Sequence, residues 1–583
     1  MAPYRIRKEI PKSIKKELQK YSPLLQKLLY YRGITVRKDA EEFLDPDWER
    51  DIHDPFLIHN MEKAVGRILK AIDKNEKILI YGDYDADGIP GSVVLHDFFK
   101  KIGYKNFSNY IPHRHDEGYG FHISAVKQFK KDKIKLIITV DVGITDIETV
   151  AYAQKNNIDV IVTDHHIPAM KDGKDGKDVV PDAFAVINSK QQDDTYPDDM
   201  LCGAGVAFKL VQALFKKGKE IGKFQEVPNG WEKWLLDMAG LSTIADMVPL
   251  KKENRVLAYY GLTVLRKSKR LGLVTLLQKM GMNQKYLTED DLGFMVVPRI
   301  NAASRMDHPL RAFELLATQD LAEAEKLADH LNHINDQRKE HVASMIKAAK
   351  KKLFERELPG VVVVGDPKWN PGILGLAANK LVEEYERPVF VWGYDSDGEI
   401  KGSCRGIGNV SLVELMRELQ DTFIDVGGHF DAGGFSISHD NIHTLEEKLS
   451  DLYEKMKNED EKQQMTVDST LTLDEVNWNT FNGIDKLGPF GVENERPVFL
   501  FENIEIDNVR SFGKEKNHLG IDFKNSCGKK ISSIGFFMTP ETFPEVNLGV
   551  GEKIHLIGVM ERSTFRNIVE LRLRIEKVLP PIN

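Results

Sequence analysis

A repeated pattern of short apolar runs, separated by stretches with helical periodicity, places the strongest constraint on how this chain can fold. The runs are Ile78–Tyr81, Leu136–Val140, Val160–Thr163 and Phe184–Ile187. Short, almost wholly apolar runs are typical of parallel strands that are covered on both faces by helices. The sequence therefore predicts an α/β domain built on a parallel sheet.

The remaining chain predicts further domains, because a single hydrophobic core stops growing near about 250–300 residues and this chain has 583. Apolar residues recur every three or four positions from Leu321 to Phe354 without Pro or Gly, which predicts one long helix as a spacer. Apolar runs at 361–364 and 389–392 indicate a second α/β unit, and alternation at 553–557 and 571–575 indicates a small antiparallel barrel or sandwich. The predicted segments are 1–60 (a helical lead-in), 61–318 (the first α/β domain), 319–354 (the long helix), 355–456 (the second α/β domain) and 465–583 (the β-rich domain).

The amino-acid composition limits the cellular location and the type of metal site that we expect for this chain. No window holds the ~18 consecutive apolar residues of a membrane helix, and residues 1–8 are basic without the apolar stretch of a signal peptide, so we expect a cytoplasmic protein. The three cysteines, Cys202, Cys404 and Cys527, lie far apart, which argues against disulfides and thiolate zinc sites. The net charge of −8 argues against a surface coated in positive charge but leaves room for a local basic groove.

Acidic residues follow the first predicted strand at every second position. While the chain stays extended, the carboxylates of Asp83, Asp85 and Asp87 point to one side. Ligands of parallel α/β sheets gather beyond the carboxyl ends of the strands, and three like charges on one face call for a cation there. On this motif alone, an EF-hand-like calcium loop or a solvated acidic turn is an equal alternative.

The next two predicted strands end in residues of the same chemistry. Asp141 follows the second strand, His165 and His166 follow the third, and Asp246 lies in a further apolar stretch. A histidine pair is more often part of an ordinary loop, but convergence with two acidic strand ends favours a metal site. Carboxylates and imidazoles without thiolate suit Mg²⁺ or Mn²⁺, and so many ligands exceed the needs of one ion that keeps water or substrate. Two such ions activate water and stabilise the leaving oxygen at phosphorus, so the residues predict a two-metal phosphoesterase.

Four motifs in this order carry a family resemblance: Asp-Tyr-Asp-Ala-Asp-Gly at 83–88, Asp-Val-Gly-Ile at 141–144, Asp-His-His at 164–166 and Ala-Asp-Met-Val-Pro at 245–249. Together they resemble the motifs of the DHH phosphoesterase superfamily. Segments 112–120, 201–209, 298–305 and 487–491 extend the resemblance, over nearly the whole chain, to the RecJ-type single-stranded-DNA-specific exonucleases within it. The resemblance implies that the first α/β unit is a DHH domain, the second a DHHA1 domain, and the C-terminal β-barrel an OB fold.

The resemblance also implies a ligand set for two Mn²⁺ or Mg²⁺ ions. The implied metal-site residues are Asp83, Asp85, Asp87, Asp141, His165, His166 and Asp246. Asp141 is implied to bridge the ions, and Asp141 and His166 are the candidate catalytic residues. His166 has two alternative roles: it supports a metal ligand without binding the metal itself, or it contacts the scissile phosphate. Val142, Ser304 and Asn370 depart from the usual family pattern, but none of them removes a metal ligand.

Two glycine-rich segments of the second α/β unit, 402–406 and 427–434, combine backbone freedom with donor side chains. From the residues alone, a pair of ordinary turns explains them equally well. The resemblance implies substrate-phosphate contacts from two domains, with a surface ion pair as the alternative for each arginine. The implied substrate-binding residues are Arg114, Arg305, Ser403, Arg405 and His429.

The C-terminal segment carries basic and aromatic residues that suit single-stranded nucleic acid. Arg572 and Arg574 alternate with apolar residues and should lie on the face away from the core. The other residues that we associate with this face are Phe512, Lys514, Lys516, Phe565 and Arg566. An all-β domain with an ordinary solvated basic face is the alternative.

We therefore predict a metal-dependent exonuclease that degrades single-stranded DNA from 5′ to 3′ and releases mononucleotides, acting in DNA repair and recombination. The direction and product are what the resemblance implies. Single-stranded DNA is the expected partner, a helicase and a single-strand-binding protein are candidates, and no membrane is expected. One alternative is a DHH phosphodiesterase of short oligonucleotides or cyclic dinucleotides, or a pyrophosphatase, although such relatives usually lack a β-rich C-terminal domain. Another is an inactive scaffold, although such proteins tend to lose metal ligands.

Overall fold

The computed structural model describes residues 4–170, 176–354, 356–457, 464–513, 515–564 and 569–581. It confirms the predicted fold class: two α/β units joined by a long helix, followed by a closed β-barrel. The helices are α1 Lys12–Glu17, α2 Pro23–Tyr30, α3 Arg37–Leu44, α4 Trp48–Asp51, α5 Met61–Asp73, α6 Gly88–Lys101, α7 Ile123–Lys131, α8 Ile147–Lys155, α9 Gly203–Glu220, α10 Leu236–Ala245, α11 Lys252–Leu265, α12 Leu271–Lys279, α13 Glu289–Asp291, α14 Val297–Met306, α15 Leu310–Ala317, α16 Leu321–Leu353, α17 Leu374–Tyr385, α18 Leu412–Glu418, α19 Leu445–Met456 and α20 Trp478–Asp485. The strands are β1 Tyr4–Ile6, β2 Ile78–Gly82, β3 Phe107–Tyr110, β4 Leu136–Val140, β5 Asp159–Thr163, β6 Ala169–Met170, β7 Asp178–Val179, β8 Ala185–Ile187, β9 Val362–Gly365, β10 Val389–Tyr394, β11 Ile400–Arg405, β12 Phe423–Gly428, β13 Ala432–Ile437, β14 Met465–Val467, β15 Ser469–Thr470, β16 Phe499–Phe512, β17 His518–Lys524, β18 Lys530–Gly535, β19 Lys553–Ser563 and β20 Glu570–Leu579.

The first α/β unit is built on a five-stranded sheet in the order β3-β2-β4-β5-β8, and all of its strand pairs are parallel. Ile78 and Ile80 pack on one face against α5, α6 and α9, while Leu79 and Tyr81 pack on the other against α7 and α8. Burial on both faces explains why the four predicted strands read as apolar runs. The edge strand β3 was not predicted, because its side chains are only half-buried and its sequence, Phe-Ser-Asn-Tyr, is not an apolar run.

Helix α16 spans Leu321–Leu353 and packs against α12, α14 and α15 of the first unit and α17 of the second. The sheet of the second unit has the order β12-β13-β11-β10-β9, in which only β9 and β10 are parallel. The two glycine-rich segments form strand β11 and the β12–β13 hairpin at one side of this sheet rather than a pair of isolated turns.

The C-terminal unit is a closed five-stranded barrel in which β16-β17-β18-β20-β19 pair in sequence and β19 returns to β16. The N-terminal segment, predicted as a lead-in, packs against this barrel. Leu18, Leu28 and Leu29 share a core with barrel residues such as Phe499 and Phe523, and β1 pairs in parallel with β14. Within the described residues, no helix combines the length and apolar character needed to cross a membrane.

Candidate metal centre

The predicted metal-site residues meet at one edge of the parallel sheet, because β2, β4 and β5 are neighbours that end at the same level. Three groups of side chains each bring their ligand atoms within 4.8 Å of one another. The groups are Asp83, Asp85 and Asp141; Asp87, His165 and Asp246; and Asp141, His165 and His166. All seven predicted ligands therefore take part in at least one group, and Asp141 belongs to two of them.

Asp141 adopts an unusual backbone conformation at the end of β4. It is buried and has a φ of 62°, in the left-handed region that costs most residues other than glycine energy. Gly203, the first residue of α9, lies so close that a Cβ there would come within 2.6 Å of Asp141 Cβ. The turn after β4 and the start of α9 together fix this carboxylate in the centre of the cluster.

The start of α9 also holds Asp87. The backbone amides of Gly203 and Ala204 donate to its two carboxylate oxygens at 2.6 and 2.7 Å. A helix N-terminus offers such unpaired N–H groups and favours negative charge. Asp85 shapes the preceding loop, since its Oδ1 accepts from the amides of Asp87 and Gly88.

Two oxygens at the centre of the cluster accept no hydrogen bond among the described residues. These buried atoms are Asp83 Oδ1 and Asp141 Oδ1. Burial, together with the neighbouring carboxylates of Asp85 and Asp87, raises the pKa of Asp83 and Asp141 well above the usual range. Buried, unpaired carboxylates are costly unless a cation compensates them, so the donor set fits Mn²⁺ or Mg²⁺.

The two adjacent histidines have different surroundings. His165 Nε2 lies 3.2 Å from Asp141 Oδ1 and 3.6 Å from both Asp87 Oδ2 and Asp246 Oδ2. Burial, with a smaller contribution from the charge of His166, lowers the pKa of His165 to about 3, which keeps its imidazole neutral as a metal ligand requires. His165 is thus suited to bind a metal together with the carboxylates around it.

His166 is held in place by Asp164, the first residue of the Asp-His-His motif. The sequence analysis did not assign Asp164 to the site. Burial alone would lower the pKa of His166, but the 2.8 Å hydrogen bond between Nδ1 and Asp164 Oδ1, together with the negative charges of Asp164, Asp246 and Asp87, raises the pKa to about 9. Asp164 is fully buried and also accepts from the amides of Ile144, His165 and His166. The sequence feature that could have indicated this role is the position of Asp164, directly after β5 and directly before the two histidines.

Asp246 is the C-cap of α10, and its side chain remains 26% exposed although it lies in an apolar stretch of the sequence. Burial and the charges of Asp87 and Asp85 raise its pKa to about 8. The dipole at a helix C-terminus also disfavours an anion, which adds to the need for a cation here.

Three of the predicted substrate-binding residues, Arg114, Arg305 and Arg405, lie close together where the two α/β units meet, and we call this arginine cluster the basic pocket. Arg114 lies over the ring of Tyr84, with its Cζ 4.9 Å from the ring centroid, beside the metal-site loop. Arg305 Nη1 donates to the carbonyl of Gly372 in the second unit at 2.8 Å. Burial and the charges of Arg114, Arg338 and Arg405 lower the pKa of Arg305 to about 9, so these guanidinium groups lie close together.

Ser403 and Arg405 alternate along β11, and both are half-buried. The β12–β13 hairpin carries His429 next to this strand end, because the amide of Gly406 donates to the Asp431 carbonyl. His429 is exposed to solvent. The structure thus places Ser403 on the same strand as Arg405, and His429 beside Ala432, the residue that pairs with Arg405.

The two barrel arginines that we expected to face nucleic acid form ion pairs within the protein instead. Arg572 and Arg574 lie outside the barrel core as predicted, but both are paired with carboxylates. Arg572 pairs with Glu561 at 2.5 Å, and Arg574 contacts Asp290 of the first α/β unit at 3.2 Å. Lys514, Phe565 and Arg566 lie outside the described residues.

Family profiles match three parts of the chain. Residues 77–239 match the DHH family N-terminal domain, residues 358–458 the DHHA1 domain, and residues 467–577 the RecJ OB domain. The single-stranded-DNA-specific exonuclease RecJ of Bacillus subtilis is 35% identical to this chain over 97% of the chain and 69% of its own length. That of Haemophilus influenzae is 30% identical over 96% of both chains.

Solved structures agree with these matches. The crystal structure of RecJ from Thermus thermophilus in complex with Mn²⁺ superposes with a TM-score of 0.79 at 25% identity, over 99% of this chain and 80% of that one. A structure of the same protein with Mg²⁺ superposes with a TM-score of 0.73 at 23% identity, over 99% of this chain and 78% of that one, and supports the fold.

Proposed function

Since this chain belongs to the RecJ family of single-stranded-DNA-specific exonucleases, we propose that it removes mononucleotides from the 5′ end of single-stranded DNA. It is a metal-dependent nuclease with a DHH phosphoesterase domain. The direction and the product, which the family resemblance implies, go beyond the activity named for the relatives. The observation that carries them is the basic pocket beside the metal centre, where a terminal phosphate can bind while the next phosphodiester reaches the metals.

Mn²⁺ or Mg²⁺ is the cofactor, and we propose two ions. Asp83, Asp85 and Asp141 would hold one, and Asp87, His165 and Asp246 with Asp141 would hold the other. When bound, such a pair activates water and neutralises the charge that develops on the scissile phosphate.

Side chains of this protein would orient the substrate around that chemistry. Because Asp164 engages Nδ1 of His166, the other ring nitrogen of His166 is available to donate to an oxygen of the scissile phosphate. Arg114, Arg305 and Arg405, with Ser403 and His429 at the adjacent strand end, would hold the terminal phosphate. Holding the strand at both phosphates fixes the geometry for in-line attack.

The biological setting that we propose is DNA repair and recombination in the cytoplasm. Single-stranded DNA arises where duplexes are unwound, so a helicase and a single-strand-binding protein are the candidate partners. The single-stranded-DNA-specific activity named for the relatives supports this setting.

The test uses one oligonucleotide labelled at either the 5′ or the 3′ end, incubated with Mn²⁺ or with EDTA. We expect labelled mononucleotide to appear at once from the 5′-labelled strand only, and EDTA to abolish it. Early mononucleotide release from the 3′ label would overturn the direction. Turnover of dinucleotides without cleavage of long strands would favour the small-substrate phosphodiesterase.

A further inference from the structure

A cavity of the first α/β unit lies at the far end of a helix that begins at a metal ligand. It has a volume of about 630 Å³ and is bounded by the C-terminal end of α6, the short 3-10 helix Trp231–Leu235, the loop 268–271 and the end of α15. We call this cavity the distal pocket. Its volume is within the range of small-molecule sites, which is about 300–1,000 Å³.

Helix α6 separates the distal pocket from the metal centre. Asp87 is the N-cap of α6, whereas Lys100 and Lys101 at the other end of this helix line the pocket. A helix of 14 residues is roughly 20 Å long. A group bound in the distal pocket therefore cannot touch the metal ions, so the scissile phosphodiester is not its ligand.

A network of buried ion pairs forms the floor of the distal pocket. Arg270 binds Asp97 of α6 at 2.9 Å and Asp237 of α10 at 3.0 Å. Its Nη1 also donates to the carbonyl of Leu316 at the end of α15. Because these charges already have partners within the protein, the floor fixes the shape of the cavity, and the contacts to a ligand come from its walls.

Two tryptophans of the 3-10 helix line one wall. Trp231 packs edge-on against Phe215, with ring centroids 5.7 Å apart, and Lys101 Nζ lies 5.4 Å from its own ring centroid. Trp234 keeps 49% of its surface exposed. A partly uncovered aromatic ring in a cavity can stack a nucleobase, because every base offers a π-face.

The other walls supply positive charge. Lys100, Lys101 and Lys269 are exposed and line the pocket, and within the described part of the chain none of them forms an ion pair with a carboxylate. Lys100 and Lys101 also offset the dipole at the C-terminus of α6. Lys269 lies two positions before Leu271, where α12 begins without a side-chain cap. The free N–H groups of a helix N-terminus and a neighbouring ammonium group both favour a phosphate.

We propose that the distal pocket is a second nucleotide-binding site, which stacks a base on Trp234 and holds a phosphate between Lys269 and the N-terminus of α12. The same base and phosphate are presented by a free mononucleotide and by a nucleotide unit of a DNA strand far from the cleaved end. The arrangement of a stacking ring, lysines and a helix N-terminus around one cavity supports this ligand class. The assignment does not depend on the direction of cleavage.

The experiment measures binding of deoxyadenosine 5′-monophosphate to the whole chain by calorimetry, in EDTA so that no cleavage occurs. Trp234→Ala should weaken binding at this site about 5- to 100-fold, because it removes the stacking surface. The matched control is Trp478→Ala, at a tryptophan of α20 that is 39% exposed.

A second pair of variants tests the phosphate contact. Lys269→Met should weaken binding about tenfold, because it removes a charged donor. Lys267→Met removes the same charge two positions earlier, at an exposed residue outside the pocket. Both control variants should stay within about twofold of the wild type.

The same four variants are then tested with a single-stranded oligonucleotide, which distinguishes the two sources of the ligand. Weaker binding of the mononucleotide in Trp234→Ala and Lys269→Met identifies the free nucleotide, whereas weaker binding of the oligonucleotide alone identifies the DNA strand. Wild-type affinity for both probes in both variants would overturn the proposal, because any nucleotide bound by the protein would then lie elsewhere, such as beside the metal centre.

Thermal unfolding and cleavage in Mn²⁺ show that the variants are folded. Trp234 and Lys269 lie at the opposite end of α6 from the metal centre, so kcat should remain within about twofold of the wild type. Cleavage from the 3′ end would overturn the function proposed above without affecting this site, whereas loss of the site would leave the direction of cleavage unchanged.

Discussion

At the residue scale, the metal centre is a cluster of like charges that the folded chain holds against their repulsion. Asp83 and Asp141 are both buried with an oxygen that accepts no hydrogen bond, and Asp141 is also held with a positive φ. Buried like charges and backbone strain both cost free energy, and such costs collect at functional sites. We therefore expect the metal centre, when it holds no ions, to lower the free energy of unfolding of the first α/β unit.

Asp141→Asn tests this conflict between stability and function. In EDTA, the neutral amide should relieve the repulsion between the clustered carboxylates. The melting temperature should then rise by about 2–4 °C for each kcal/mol gained in the free energy of unfolding. In Mn²⁺, the variant should lose most of the metal-induced rise in melting temperature, and cleavage should fall by at least about a thousandfold.

The matched control for that experiment is Asp132→Asn, at an exposed position after α7. It should change neither the melting temperature in EDTA nor the shift caused by Mn²⁺. Wild-type turnover in Asp141→Asn would contradict the assignment of Asp141 to the metal centre.

Asp164 positions His166 without belonging to any of the candidate metal groups. In Asp164→Asn the ionised acceptor is lost, and hydrogen bonds to charged groups contribute about 1.5–3 kcal/mol each. We expect kcat to fall about 10- to 100-fold while Mn²⁺ still raises the melting temperature. Unchanged kcat, or complete loss of the thermal shift with Mn²⁺, would show that Asp164 has a different role.

At the scale of elements, the site is assembled from the ends of strands and helices. Parallel strands bring Asp83, Asp141 and His165 to one edge, and the N-terminus of α9 donates two amides to Asp87. The glycine that begins α9 permits this arrangement, because any side chain there would occupy the space of Asp141.

Gly203→Ala and Gly205→Ala form a matched pair within α9. A Cβ at Gly203 would meet Asp141 Cβ at 2.6 Å, whereas a Cβ at Gly205 would meet Cys202 Sγ at an ordinary 3.5 Å. Gly203→Ala should therefore displace the carboxylate and lower kcat by at least about a hundredfold.

Gly205→Ala should keep wild-type turnover and gain up to about 1 kcal/mol of stability, because alanine favours the helix more than glycine. Steady-state kinetics and thermal unfolding of both variants check the pair. Equal activity in the two variants would contradict the tight packing of α9 against Asp141.

At the scale of the whole molecule, buried polar contacts hold the barrel and the N-terminal segment against the first α/β unit. Arg255 of α11 donates to the carbonyl of Phe43 in the N-terminal segment and to the carbonyls of Leu487 and Lys486 before the barrel. Burial and the nearby Arg32 lower the pKa of Arg255 to about 9, and no acidic partner is within ion-pair distance among the described residues. Arg255 therefore joins three parts of the chain that lie far apart in sequence.

Arg255→Met should leave these carbonyls without a donor and lower the free energy of unfolding by about 2–4 kcal/mol. Scanning calorimetry should show the weakened contact as a separation of the unfolding transitions of the barrel and the first α/β unit. Lys251→Met removes only the exposed Lys251–Glu493 ion pair at the same interface and should cost less than about 1 kcal/mol. A similar loss in both variants would contradict the special role of Arg255.

The sequence by itself determined the parallel sheet, the long helix and the residues that meet at the sheet edge. These are local properties: burial on both faces makes β2, β4 and β5 apolar, and residues that follow parallel strands share one edge. Asp83, Asp141 and His165 could therefore be placed together before any contact was known. The family resemblance added Arg114, Arg305 and Arg405, because no pattern of apolar residues in the sequence singles these arginines out.

Only the tertiary structure decided which charges are paired and which are free. The sequence predicted that Arg574 faces nucleic acid, but in the folded chain Asp290, 284 positions away, accepts a hydrogen bond from it. Arg338 looks like any exposed residue of a charged helix, yet in the folded chain it is half-buried and its charge contributes to the lowered pKa of Arg305. The sequence cannot reveal this, because the partner of a long side chain depends on contacts between segments that only the packing of the units brings together.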